Sequence, residues 1–311
     1  MPPVREASSV AGGQTVVRIE HILCPVDFSD VSAKAYRYAQ SIACHYHAKL
    51  ILQNVVEVWQ YPSGDFVKSP QYYDDFRYAL ISNAQGELQR FMDLCGGVEP
   101  ECLVEAGTAA DAILYLARDR NINLVVMGTH GRRGFDRLML GSVTERVLRY
   151  SPCPVLAIPQ KEPAGNSMTA DPIRVQRILC CVDFSTSSQP TVDHALSVAE
   201  AYGAELTVLH VMENLPESTN VAIETDAVVD KIQKMLAAST LPSTRVHTEV
   251  RLGRAYREIL NFAAQSQTDL IVTGMRGRNS LDLAVFGSTT YRVIQLYPGP
   301  VLTIPVPAAR G

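Results

Sequence analysis

The sequence predicts an α/β protein of two tandem, doubly wound domains, each a five-stranded parallel sheet with helices on both faces, and three observations carry that expectation. At 311 residues the chain exceeds the span over which one hydrophobic core keeps growing, so two domains of roughly 150 residues are expected. The chain also repeats itself. HILCPVDFS (His21 to Ser29) returns as RILCCVDFS (Arg177 to Ser185), and SPCPVLAIP (Ser151 to Pro159) returns as YPGPVLTIP (Tyr297 to Pro305). Inside each copy, short apolar runs alternate with helical periodicity, the signature of βαβ units around a parallel sheet buried on both faces.

Residues 1–17, MPPVREASSVAGGQTVV, are small and polar without a continuous apolar stretch, and read as a flexible tail. The first domain, 18–160, opens on a strand near 20–26. The helix that follows places Ala35, Ala39, Ile42, Ala43 and Tyr46 on one face. Further strands are expected near 49–56, 99–105, 122–128 and 154–158. Residues 161–173 lie in a Pro-, Gly- and small-polar stretch and form the linker. In the second domain, 174–311, Val192, Ala195, Leu196, Ala199 and Tyr202 repeat the first helix face. LILQNVVE (Leu50 to Glu57) recurs as LTVLHVME (Leu206 to Glu213) at the offset of 156 residues that relates the first strands. NLVVMGTHGRRG (Asn123 to Gly134) recurs as DLIVTGMRGRNS (Asp269 to Ser280) at 146, so the second copy is shorter between its second and fourth strands.

The fourth strand of each copy runs into the motif that carries chemistry. Gly128, Gly131, Gly141 and Ser142 follow the spacing G-x2-G-x9-G-S, and Gly274, Gly277, Gly287 and Ser288 repeat it. Glycines at a strand's carboxyl end admit positive φ and let backbone amides approach a ligand with no Cβ in the way. The last glycine and serine lead into an amphipathic helix (Val143, Val147, Leu148; Val293, Ile294, Leu296), whose free amides and positive dipole end suit a phosphate. Asp27 and Asp183 end the first strands on the same sheet edge, where they either face a ligand or cap the next helix. Val55 and Val211 end the second strands and would line a flat base slot. Arg132, Arg133, Arg276 and Arg278 lie inside the loops, either against phosphate or in solvent. His130 has no histidine counterpart in the second copy and is expected in solvent.

Composition narrows the function. Hydrophobic residues at 47% and charged residues at 19% suit a globular protein, and a net charge of -4 gives no support to sequence-independent nucleic-acid binding. No run approaches the roughly 20 apolar residues of a membrane span, so a cytoplasmic protein is expected. Seven cysteines without a CxxC pair read as free thiols, and scattered histidines without HExxH offer no metal site. The lysine-bearing P-loop is missing, as is GxGxxG after the first strand.

PVDFS, the G-x2-G-x9-G-S loop and SPCPVL together resemble universal stress proteins of the ATP-binding type, and the likeness covers both halves. The resemblance implies strand order 3-2-1-4-5 with ATP, or ADP or AMP, across strands one and four, and Mg2+ carried by the phosphates. By position it implies a first site of Pro25, Asp27, Val55, Met127, Gly128, Gly131, Gly141, Ser142 and Val143. The second would use Asp183, Val211, Thr273, Gly274, Gly277, Gly287, Ser288 and Thr289, and departs from the pattern at Cys181 and Thr273. It implies a nucleotide-dependent sensor or regulator in stress response, acting through a regulatory protein partner. A slow ATPase or a phosphoryl or nucleotidyl transferase, and a scaffold with incidental nucleotide, are the alternatives. Two chains forming a homodimer is a further expectation. The resemblance also implies that the halves pair through Val155 to Ile158 and Val301 to Ile304, hiding two sheet edges. A chain cut to residues 1–160 is therefore expected to self-associate in analytical ultracentrifugation; a folded, strictly monomeric half would contradict the pairing.

Overall fold

A computed structural model describes residues 18–57, 70–95, 98–131, 139–160, 173–213, 220–239, 245–275 and 287–306. They form two compact units, Ile19–Gln160 and the described residues from 173 onward. The first runs β1 (His21–Pro25), α1 (Asp30–Tyr46), β2 (Lys49–Val56), α2 (Pro70–Cys95), β3 (Glu101–Ala106), α3 (Ala109–Asp119), β4 (Leu124–Gly128), α4 (Ser142–Tyr150) and β5 (Val155–Ile158). The second runs β6 (Arg177–Cys181), α5 (Ser188–Tyr202), β7 (Glu205–Met212), α6 (Val221–Ala238), β8 (Val246–Leu252), α7 (Ala255–Gln265), β9 (Leu270–Gly274), α8 (Ser288–Leu296) and β10 (Val301–Ile304).

Each unit has the expected order. The first reads β3-β2-β1-β4-β5 and the second β8-β7-β6-β9-β10. Every pairing is parallel: β1 sets His21 opposite Lys49 of β2 and Ile22 opposite Leu124 of β4, and β6 sets Ile178 opposite Leu206 and Leu270. Right-handed crossovers then put α1 and α2 on one face and α3 and α4 on the other. Strands covered on both sides must be apolar throughout, which is why Ile22, Leu23, Leu52, Val125, Val126, Val155 and Ile158 are sealed from solvent.

Small residues set how closely the helices approach. Ala35 and Ala39 of α1, and Val192 and Ala195 of α5, are fully buried against the sheet. Tyr46 and Tyr202, at the far ends of those faces, are only partly covered. One predicted apolar position differs: Leu296 of α8 is 43% exposed, because the buried stripe of Val293 and Ile294 continues at Tyr297, one residue further on. At the sheet's amino edge the Asn123 Oδ1 accepts from the Glu20 and His21 amides at 2.9 and 2.8 Å. Asp269 does the same for Gln176 and Arg177. Each staple fixes the lead into the central strand.

Among the described residues no cysteine is in a disulfide. Burial pushes Cys153 up to about 11 and Cys181 up to about 12, and drives Cys180 well above the ordinary thiol range. Thiolate is the reactive form, so alkylation of the native protein at pH 8 is expected at exposed Cys44, more slowly at Cys102 and slowest at half-buried Cys181, with Cys153 and Cys180 modified only on unfolding. Because these thiols bind their protons more tightly when folded, the same groups make stability fall as pH rises from 9.0 toward about 12. Mass mapping after timed alkylation checks the order.

Candidate functional site

The strand order reverses between β1 and β4, and such a reversal leaves a crevice outside the strands' carboxyl ends. A cavity of about 930 Å³ opens there in the first unit. All nine residues assigned to the first site line it: Pro25 at the end of β1 and Asp27 beyond it, Val55 of β2, Met127 and Gly128 of β4, Gly131, and Gly141, Ser142 and Val143 at the start of α4. Ala109 and Ile113 of α3 and Ala84 of α2 add apolar wall, while Asn83 and Glu87 of α2 add polar groups.

The glycines act through close approach. None of Gly128, Gly131, Gly141, Gly274 and Gly287 has positive φ, which corrects that part of the sequence expectation. A Cβ at Gly128 would stand 2.7 Å from Val31 Cγ1, so this glycine lets α1 reach β4. A Cβ at Gly131 would stand 2.5 Å from Asp27 Oδ2, so this one brings the loop against the carboxylate. Gly141 is the N-cap of α4 and offers no side-chain hydrogen bond to the helix's first turn. Its own amide donates to Thr129 O at 2.9 Å, and the first-turn amides that follow it, from Ser142 onward, have no intrahelical acceptor and belong to residues that line the crevice.

Asp27 is held in place. Its Oδ1 accepts from the Ser29 hydroxyl at 2.6 Å and the Ser29 amide at 3.2 Å, and Ser29 in turn caps α1 through Ser32 N. The helix cap is thus Ser29, and Asp27 stands one step behind it with Oδ2 toward Gly131. Phe28, between them, sits at φ 63, a region bulky side chains rarely enter. Phe184 repeats the departure at φ 60, so the sharp turn after the first strand belongs to both copies.

In the second unit Asp183 Oδ1 accepts from the Ser185 amide and the Ser188 hydroxyl at 3.0 and 3.1 Å. Gly287 is again an N-cap without a side-chain bond, and its amide donates to Met275 O at 3.2 Å. Thr289 follows Ser288 in the first turn of α8, Val211 lies in β7, and Thr273 and Gly274 end β9. The Thr273 hydroxyl reaches Gly274 O and Thr290 Oγ1 at 3.4 Å, where the first unit has the thioether of Met127. Gly277, Arg132, Arg133, Arg276 and Arg278 lie outside the described residues.

Sequence reasoning missed several groups. Thr144 and Thr290 donate to Gly128 O and Gly274 O at 2.8 and 2.9 Å, tying the cradle helix to the strand. Asn54 Nδ2 donates to Val26 O at 2.8 Å, and His210 Nδ1 stands at the same distance from Val182 O. Those recurrences, Thr at matching offsets and a polar residue within an apolar strand, were available signals. Gln53 is sealed beneath the cavity with Nε2 donating to Glu105 at 2.6 Å and Oε1 unpaired. His130, expected in solvent, is half-buried at the cavity wall with Nδ1 2.9 Å from the Thr129 hydroxyl.

The sequence profile of the universal stress protein family matches residues 18–159 and 174–305. The chain belongs to the universal stress protein family. A universal stress protein of Mycolicibacterium smegmatis is 25% identical over 292 residues, 91% of this chain and 96% of its own length. One from Methanocaldococcus jannaschii is 34% identical over 150 residues, 45% of this chain and 84% of its own. The crystal structure of a universal stress protein from Archaeoglobus fulgidus superposes with a TM-score of 0.64 at 21% identity, covering 93% of this chain and 97% of that one, and so shares its fold. Among the described residues no helix is long and apolar enough to cross a membrane.

Gly128→Ala is expected to destabilise the first unit by about 1–3 kcal/mol, since its Cβ overpacks against Val31. Gly141→Ala, whose Cβ meets nothing nearer than 3.4 Å, should cost less than about 1 kcal/mol. Thermal unfolding of the two variants checks the ranking.

Proposed function

We propose that the first unit of this universal stress protein binds an adenine nucleotide, ATP first and ADP or AMP as weaker guests, and that the chain acts as a nucleotide-dependent sensor in stress response. The observation that carries the reading is that the uncapped start of α4, Gly131 and the Asp27 carboxylate set close against it all line one cavity. A helix that omits its own cap leaves partly charged amides with no side-chain partner, and a phosphate satisfies both the hydrogen bonds and the dipole. A side chain at Gly131 would fill the narrowest part of that cradle. The residues present therefore fit the group.

In this reading the α4 amides and Gly131 hold phosphate, Asp27 accepts from ribose hydroxyls, and Val55, Met127, Ala109 and Ile113 enclose the base. Mg2+ rides on the phosphates, and the protein supplies position and charge complementarity. Such a cavity lies within the range of roughly 300–1,000 Å³ usual for small-ligand sites. We propose the same role for Asp183, Val211, Thr273, Gly274, Gly277, Gly287, Ser288 and Thr289 in the second unit, with weaker affinity, since Cys181 and Thr273 replace Pro25 and Met127. The cytoplasmic setting and the regulatory protein partner belong to this proposal.

Gly141→Asp separates binding from folding. An aspartate N-cap satisfies the first-turn amides and should raise stability by about 0.2–0.5 kcal/mol. The same carboxylate occupies the cradle and repels phosphate, so ATP affinity should fall at least tenfold in calorimetric titration. Unchanged ATP affinity in a stabilised variant would overturn the assignment.

A further inference from the structure

The two units differ where the third helix of each meets the fourth. In the first, Arg146 of α4 pairs with Asp111 in the opening turn of α3, at 2.6 Å. The matching residues of the second unit are Arg292 of α8 and Arg257 of α7, so the carboxylate has become a second guanidinium. Tyr256 stands between them. The Arg292 guanidinium carbon lies 5.1 Å from the Tyr256 ring centre and that of Arg257 lies 5.9 Å away, with Arg257 Nε donating to the phenol oxygen at 3.1 Å. Arg254, the N-cap of α7, contributes a third guanidinium that hydrogen-bonds the same phenol. Among the described residues none of the three arginines has a carboxylate partner, and all three are exposed.

The nearby carboxylates are otherwise engaged. Glu213 Oε1 accepts from the Ala255 amide at 2.6 Å, which fills the start of α7, and Glu258 lies against Gly253. The helix end is therefore not the site; the side chains are. Three positive groups gather on one ring where the sister unit has a neutral ion pair, which leaves this surface with a local excess of positive charge. Guanidinium forks match the geometry of phosphate oxygens and bind them two at a time.

We propose that Arg254, Arg257 and Arg292, arranged around Tyr256, form a phosphate-binding site on the α7–α8 surface of the second unit. The ligand is a phosphate group, either free or at the end of a larger phosphorylated molecule. The hydrogen bonds from Arg257 and Arg254 hold the Tyr256 phenol below the usual tyrosine range, so a bound dianion, which offsets the guanidinium charge, should move it back up. Binding should weaken with salt, as contacts at an exposed site do.

The test uses the full chain labelled with ¹³C at tyrosine Cζ, the Tyr256 signal being identified by its loss in Tyr256→Phe. Inorganic phosphate is titrated at fixed ionic strength, and phenyl phosphate and AMP separately. A saturable shift of the Tyr256 signal is expected, at least fivefold weaker in Arg257→Asp, which recreates the pair seen between Asp111 and Arg146 and so keeps the fold. Saturation by inorganic phosphate alone assigns a free anion, and tighter saturation by either ester assigns a phosphorylated ligand. A shift that never saturates with any probe, or equal saturation in Arg257→Asp and Arg292→Gln, would overturn the site.

Discussion

Helix α4 starts at Gly141 with no side chain over its first amides, and the surrounding crevice is arranged around that omission. Helices ordinarily close their amino ends with Ser, Thr, Asp or Asn, as Ser29 does for α1 and Asn220 for α6. Here Gly141 gives its own amide to Thr129, Thr144 ties the first turn back to Gly128, and Gly131 brings the loop to Asp27. The parallel sheet makes the arrangement possible. Its order reverses between β1 and β4, so the ends of both strands and the start of α4 open on the same crevice.

Much of this was legible in the chain. Alternating apolar strands and amphipathic helices located all five strands of the first unit to within about two residues, as is usual for element boundaries. The repeat made the glycine spacing a signal that one copy would not have been. The physical reason for the glycines was less legible: spacing cannot distinguish a residue needed for positive φ from one needed for close approach, and Gly131 is the second kind because Asp27, far away in sequence, stands over it. Leu296 was misread for a similar reason, since helical periodicity leaves one residue of angular slack at the end of a short helix. Asn54 and Thr144 carried a signal in their recurrence but not their roles, and Gln53 carried none, because those roles depend on which backbone carbonyl or side chain the fold sets beside them.

The two copies have kept the same frame while changing its chemistry. The staples of Asn123 and Asp269, the strained turns at Phe28 and Phe184, and the threonine ties to Gly128 and Gly274 are common to both. The differences lie at the sheet's carboxyl end and on the α7–α8 edge. Thr273 puts a hydroxyl where Met127 puts a thioether, His210 replaces Asn54, and Arg257 replaces Asp111. Core positions that close the sheet tolerate little change, because packing there is dense, whereas crevice and rim residues change without loss of fold. Tandem duplication thus leaves the crevice and rim of each unit free to diverge while the frame is kept.

The central claim is that phosphate meets the open amides of α4. Amide hydrogen exchange of the full chain, followed by mass spectrometry with and without ATP, reads it directly. The account predicts slower exchange in peptides spanning 139–148 and 25–30 when ATP is added, with little effect from adenosine on 139–148. No protection of that helix start, or protection by adenosine equal to that by ATP, would contradict it.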